Sequence, residues 1–137
     1  MKLSDFYTLD PSKRVRAAKV SAFPDGLAPL VGGEFDVTNS TADYDQAINA
    51  YGHLHMVEGW KIGTSADAGD TVDLIRVRDG VTDTIATLVC SVADGAVIVP
   101  GSWDDSHANF EPGDILRASA TSSTDVACTL HFSLRLA

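Results

Sequence analysis

Residues 125–137 read DVACTLHFSLRLA. Val126, Cys128, Leu130, Phe132, Leu134 and Leu136 take every second position, with Ala127, Thr129, His131, Ser133 and Arg135 between them. Successive side chains of a strand point to opposite faces, so this stretch predicts a strand with one apolar face and one face in water. Six apolar residues on one side need cover on that side, which predicts a central strand of a packed sheet. A strand so placed leaves attachment to a partner to the other end of the chain.

Upstream, apolar or alternating runs recur at 53–62, 71–78, 84–92, 96–100 and 115–121. Turn formers separate them: Ala68-Gly69-Asp70, Asp79-Gly80, Asp94-Gly95, Pro112-Gly113-Asp114 and Ser122-Ser123-Thr124-Asp125. Short strands punctuated in this way predict an all-β sandwich or barrel. Asp and Gly both tolerate positive φ, so Asp79-Gly80 predicts a tight hairpin joining 71–78 to 83–92. Within 71–78, Val72 and Leu74 share one parity, Ile75 and Val77 the other; a bulge or burial on both faces would each account for this.

The first fifty residues differ. Asp10-Pro11 could cap a short helix over 10–19, but that stretch lacks an apolar face, and an extended arm fits equally. Pro24, Gly26, Pro29, Gly32 and Gly33 break any long element. One strand is expected at 35–37 and a helical turn at 43–50. The division is therefore an N-terminal arm and irregular segment over 1–50 and a β-sandwich over 51–137. At 137 residues a single domain with an appended arm is the simplest reading. No apolar run approaches the ~20 residues that span a bilayer. The opening MKLSDFYTLD lacks a signal-peptide core, so neither membrane nor export is expected.

The net charge of −9 argues against a nucleic-acid partner for the body. Its distribution is uneven. Residues 1–19 carry Lys2, Lys13, Arg14, Arg16 and Lys19 against Asp5 and Asp10, a net of +3, while the remainder carries a net of −12. Phe6, Tyr7, Leu9 and Val15 are interspersed with those cations. Basic and apolar residues alternating in an arm suit a partner that is acidic and partly apolar.

No catalytic motif assembles. His53 and His55 share a strand face and resemble the first metal motif of cupins, but Glu58 falls on the opposite parity, and Pro100-Gly101 and His107 have the wrong spacing. The competing expectation is strand histidines beside a core of Leu54, Met56, Trp60 and Ile62. No serine stands in a G-x-S-x-G elbow. Cys90 and Cys128 lie on apolar sides of their runs, which predicts buried free thiols. Gly32-Gly33 precedes Glu34 and no GK[ST] follows, so no phosphate loop is expected. Asp104, Asp105, Glu111 and Asp114 cluster near Trp103 and Phe110 and read mainly as a solvated loop and a turn; calcium binding there would lack EF-hand spacing. Trp103, flanked by Asp104 and Asp105 and joined by Phe110, Tyr44 and Tyr51, is the candidate sugar platform.

Gly59-Trp60-Lys61-Ile62, Ala68-Gly69-Asp70-Thr71-Val72-Asp73, the turn at Asp79-Gly80, Phe110-Glu111-Pro112-Gly113-Asp114-Ile115-Leu116 and the closing strand from Val126 to Leu136 carry a resemblance. Residues 56–137 resemble a small β-sandwich module of tailed-bacteriophage virion proteins. It departs from that pattern in turning on Asp-Gly instead of Asn-Gly, and in Cys128 and His131 within the closing strand. The resemblance implies a jelly-roll-like antiparallel β-sandwich with an extended N-terminal arm. It further implies a capsid decoration (cement) or head-fibre-base protein, not an enzyme and without a cofactor. The expected protein is a homotrimer bound to the major capsid protein of an assembled head. It would sit on the outer capsid surface, the virion being assembled in the bacterial cytoplasm. Lys13, Arg14, Arg16, Lys19, Phe6 and Tyr7 would then contact the shell. A glycan- or receptor-binding tail or fibre module at Trp103 is the alternative, and a cupin-like metalloprotein at His53 and His55 the second.

Overall fold

The computed structural model describes residues 30–137. The expected helix or arm at 10–19, and Phe6, Tyr7, Lys13, Arg14, Arg16 and Lys19, lie outside the described residues. Ten strands follow: β1 (Leu30–Val37), β2 (Asp43–Ala47), β3 (Gly52–Lys61), β4 (Thr71–Arg78), β5 (Val81–Val89), β6 (Val97–Ile98), β7 (Pro100–Trp103), β8 (Asn109–Phe110), β9 (Ile115–Ala120) and β10 (Cys128–Leu136). One sheet runs β1-β10-β3-β6 with β8 also on β3; the other runs β2-β9-β4-β5-β7. Every pairing is antiparallel.

The pairings are nested. β1 pairs with β10, β2 with β9, β3 with β8, and β4 with β5. The chain is thus one long hairpin turning at Asp79-Gly80 and rolled so that successive strand pairs fall on alternate sheets, which is a jelly roll. The apex has the predicted chemistry: Asp79 and Gly80 take φ of 51° and 78°, as a two-residue turn with both central residues left-handed requires.

The opening stretch is a central strand, between β1 and β3. Cys128, Leu130, Phe132 and Leu134 are buried, and meet Leu116, Ala118 and Ala120 of β9 and Val72, Leu74, Ile85 and Leu88 in one core. Each large aliphatic side chain buried there contributes about 1.5–3 kcal/mol. Phe35 tilts against Phe132 at 5.5 Å between ring centroids. Cys90 and Cys128 are free and fully buried.

Several elements differ from the sequence reading. Residues 43–47 form strand β2, not a helical turn, held to β9 by Arg117 bonding Asp45 and the Ser119 hydroxyl donating to Asp43. With four of its five residues exposed, β2 has no apolar alternation to betray it. The strand expected at 35–37 is present and extends back to Leu30 as β1, and β5 begins at Val81, two residues earlier than expected. Trp60 and Ile62 are not core residues: they are 40% and 52% exposed. The cause is a bulge. Ser133 pairs with Met56 and Leu134 with Leu54, leaving His55 as an extra residue, so the buried positions of β3 pass from Gly52 and Leu54 to Val57, Gly59 and Lys61. The parity conflict in β4 resolves without a bulge of its own. Val72, Leu74 and Arg76 face inward, and the extra residue sits in β5 at Ile85, since Leu74 pairs with Ala86 and Ile75 with Thr84.

Candidate functional site

The hairpin end of the sandwich gathers most of the polar side chains the sequence reading singled out. Asp104 caps the 3₁₀ turn Asp105–His107, accepting from the Ser106 amide at 3.0 Å and the Ser106 hydroxyl at 2.6 Å. That cap turns Asp105 back toward β3 and β7. Asp105 Oδ1 accepts from Trp103 Nε1 at 3.1 Å and from His53 Nε2 at 2.9 Å, while His53 Nδ1 lies 2.7 Å from Asn109 Oδ1. Both ring nitrogens thus face oxygens that accept a proton. The Asn109 and then the Asp105 hydrogen bond raise the His53 pKa above its ordinary value, favouring a doubly protonated ring that donates at both nitrogens. The Asp105 carboxyl is lowered by its bonds from Trp103 and His53.

Beneath this layer Arg76, Arg78, Asp83 and Asn109, which the sequence reading missed, join Asp114 and Glu111, which it named. Arg76 is nearly buried; its guanidinium donates to the Asn109 carbonyl at 2.9 Å and to Asp83 Oδ2 at 3.0 Å. Its Nε is buried without a partner among the described residues. Arg78 grips Asp114 in a bidentate pair at 2.9 and 2.6 Å, and Asp114 also accepts from the Glu111 amide. Burial alone would raise the Asp114 pKa, but the Arg78 bonds and the Glu111 amide hold it below the usual carboxylate range. His107 Nδ1 is 3.1 Å from the Thr84 carbonyl. The Arg76–Asp83 contact was within reach of sequence reasoning: counting back from a two-residue turn at Asp79-Gly80 sets 76 opposite 83.

The hydrogen bonds of this cluster tie β3, β4, β5 and the β7–β8 loop to one another. The Ser106 hydroxyl donates to Asp104 instead of facing a base. The described residues enclose no cavity and contain no group of three metal-ligating side chains. His53 is committed to Asn109 and Asp105, and His55 stands exposed at the bulge. The four aromatics do not form one platform. Phe110 is buried in the core, and the Tyr44 hydroxyl is bound to Thr38 and Ser40 in the β1–β2 loop. Tyr51 is 64% exposed just before β3, and Trp103 is 36% exposed, with its indole N–H tied to Asp105 and the outer atoms of Asp104 and Asp105 in solvent.

A second surface lies on the outer face of the β1-β10-β3-β6 sheet. Glu34, His131 and Glu58 stand in one row across β1, β10 and β3, and Asp36, Thr129, Trp60 and Val97 in the next. Trp60 meets His131 edge-on at 5.2 Å, and His131 Nε2 lies 3.7 Å from Glu34. Trp60, Ile62, Val97 and Val99 are all exposed there. Comparison with protein-family models, with curated proteins and with solved structures returns no match to this chain.

Proposed function

We propose that the chain is a structural virion protein of a tailed phage, a decoration protein that binds the assembled head through its basic leader. The observation that carries this reading is where the leader joins the body. In sequence, residues 1–29 precede β1, the outermost strand of its sheet, so a segment of net positive charge is joined to an acidic jelly roll at a sheet edge. The polar cluster at the hairpin end supports a bracing role, since most of its hydrogen bonds run between strands and loops of the body itself. Fold alone does not imply function, and the jelly roll is used here only as a compatible scaffold.

Binding to the assembled lattice, and not to free subunits, stabilises a shell by mass action. A homotrimer on a local threefold would join three weak leader contacts into one strong attachment. Lys13, Arg14, Arg16 and Lys19 are the proposed contacts to acidic shell surface, with Phe6 and Tyr7 filling apolar recesses.

Deleting residues 1–20 is expected to leave a folded body that no longer sediments with purified heads, while the full chain saturates them in a salt-sensitive way. Truncated protein that still saturates the particles would overturn the reading. A second reading, a glycan-binding tail or fibre module, rests on Trp103: Asp105 fixes its indole while Asp104 and Asp105 keep oxygens free to accept sugar hydroxyls.

A further inference from the structure

The outer face of the β1-β10-β3-β6 sheet carries a surface that neither the bracing network nor the proposed attachment uses. Toward the Val37 end of β1, Asp36 and Trp60 share a row and Val97 flanks Trp60, with Ile62 two residues further along the chain. Trp60, Ile62 and Val97 are all exposed. Glu34 and Glu58 flank His131 in the neighbouring row. In the outward rows of β1, β10 and β3, the only lysine or arginine among the described residues is Arg135, at the far end beside Leu30. The result is an apolar patch edged by carboxylates, the kind of exposed surface that marks an interaction site.

A complementary segment exists in the same chain. The leader is basic and interspersed with Phe6, Tyr7, Leu9 and Val15, opposite in sign to Glu34, Asp36 and Glu58 and matched in polarity to Trp60, Ile62 and Val97. It joins the body through β1, the edge strand of this same sheet. Between leader and strand stands Phe23-Pro24-Asp25-Gly26, a turn sequence: Pro presets φ, Asp bonds nearby backbone and Gly accepts positive φ. A turn there sends the preceding chain back alongside β1. Arg16 lies nine residues before Asp25 and Glu34 nine after it; Arg14 and Asp36 each lie eleven away. Two cations thereby come level with two outward-facing carboxylates, the opposite-charge pairing that stabilises neighbouring extended segments. Phe6 is eight residues beyond Arg14, a reach of up to ~26 Å. Two strand spacings, about 10 Å, separate Asp36 from Trp60.

We propose that residues 6–19 seat on the outer face of their own subunit's sheet. Arg14 and Arg16 lie against Asp36 and Glu34, and the stretch from Phe6 to Leu9 covers Trp60, Ile62 and Val97. The seat shields apolar surface in the free protein, and an acidic partner must displace the leader from it before binding. It concerns the free chain and holds whether or not a phage head is the leader's other partner.

The test uses the full chain, free of other proteins. Equal amounts of isotope-labelled and unlabelled protein are mixed and treated with a carbodiimide, which joins lysine to carboxylate, and the linked peptides are identified by mass spectrometry. Lys13 and Lys19 should be joined to Glu34, Asp36 and Glu58 within one copy, and these links should fall about fivefold at high salt, where exposed charges are screened. Links spread evenly over the acids of the body, Asp104, Asp105 and Glu111 included, would overturn the proposal. So would links between labelled and unlabelled copies, which would give the surface to a second copy. In a Trp103→Phe background, Arg14→Glu with Arg16→Glu should raise acrylamide quenching of Trp60 about twofold, as release of a seat held by surface ion pairs implies. Adding Glu34→Arg and Asp36→Arg should restore the starting value, and no recovery on that swap would likewise overturn the proposal. A chain that saturates heads yet forms no such links would sink the seat and leave the attachment standing; links without head binding would do the reverse.

Discussion

His53 illustrates how a side chain that looks like a metal ligand is recruited for structure. Its ring is bound at one end to Asn109 and at the other to Asp105, which also anchors Trp103. Because its folded pKa lies above the ordinary 6.5, its contribution is fully present below that value and is lost as pH rises through the folded one. The melting temperature of the wild type should therefore exceed that of His53→Gln most near about pH 6 and converge with it by about pH 9. A gap constant across that range in thermal melts would show that folding does not raise the pKa of the ring. Asp114 works in the opposite sense. Its pKa is held below 3.8, so its contribution is present above that value and is lost on acidification through the folded one. The side chain is 3% exposed and Arg78 29%; removing a buried partner while leaving the other part-solvated should cost about 2 kcal/mol. Asp114→Ala should show this as a lower urea midpoint at unchanged slope.

At the scale of elements, legibility followed burial. β10, β9 and the β4–β5 hairpin were readable because each has one face in the core and a turn whose residues need positive φ. β2 was not, since its residues hold the sheet edge through Asp43 and Asp45 and not through an apolar stripe. Nor was the half of β3 beyond His55: an inserted residue leaves no mark in composition, yet it turns Trp60 to solvent and Lys61 inward. The candidate site divides the same way. Trp103, Asp104 and Asp105 are neighbours in sequence, whereas His53, Arg76, Asp83 and Asn109 reach them only through sheet pairing. Among the glycines of its sheet, Gly59 in β3 has the least room for a side chain. A Cβ on Gly59 would collide with the Thr129 carbonyl oxygen and press on Leu130, and no rotamer relieves a clash with backbone. Gly59→Ala should destabilise the domain by about 3 kcal/mol, read from chemical unfolding; a loss below about 0.5 kcal/mol would mean that β3 and β10 separate freely there.

For the molecule as a whole, charge and topology act together. Nested pairing places the most sequence-distant strands, β1 and β10, side by side, and the body that results is acidic with one basic extension. Every described strand begins at Leu30 or later, so deletion of residues 1–20 is expected to leave the sandwich intact. The same topology is rich in contacts between residues far apart in sequence, and loop closure must precede most of them, so folding on the millisecond-to-second scale is expected.

β1 and β3 never touch as strands; β10 joins them. During synthesis, Phe35 and Leu54 must wait until the ribosome has released the strand that lies between them, while the β4–β5 hairpin can already have closed. Half of this protein is made early and sheltered late, and any crowding of nascent chains falls on that interval.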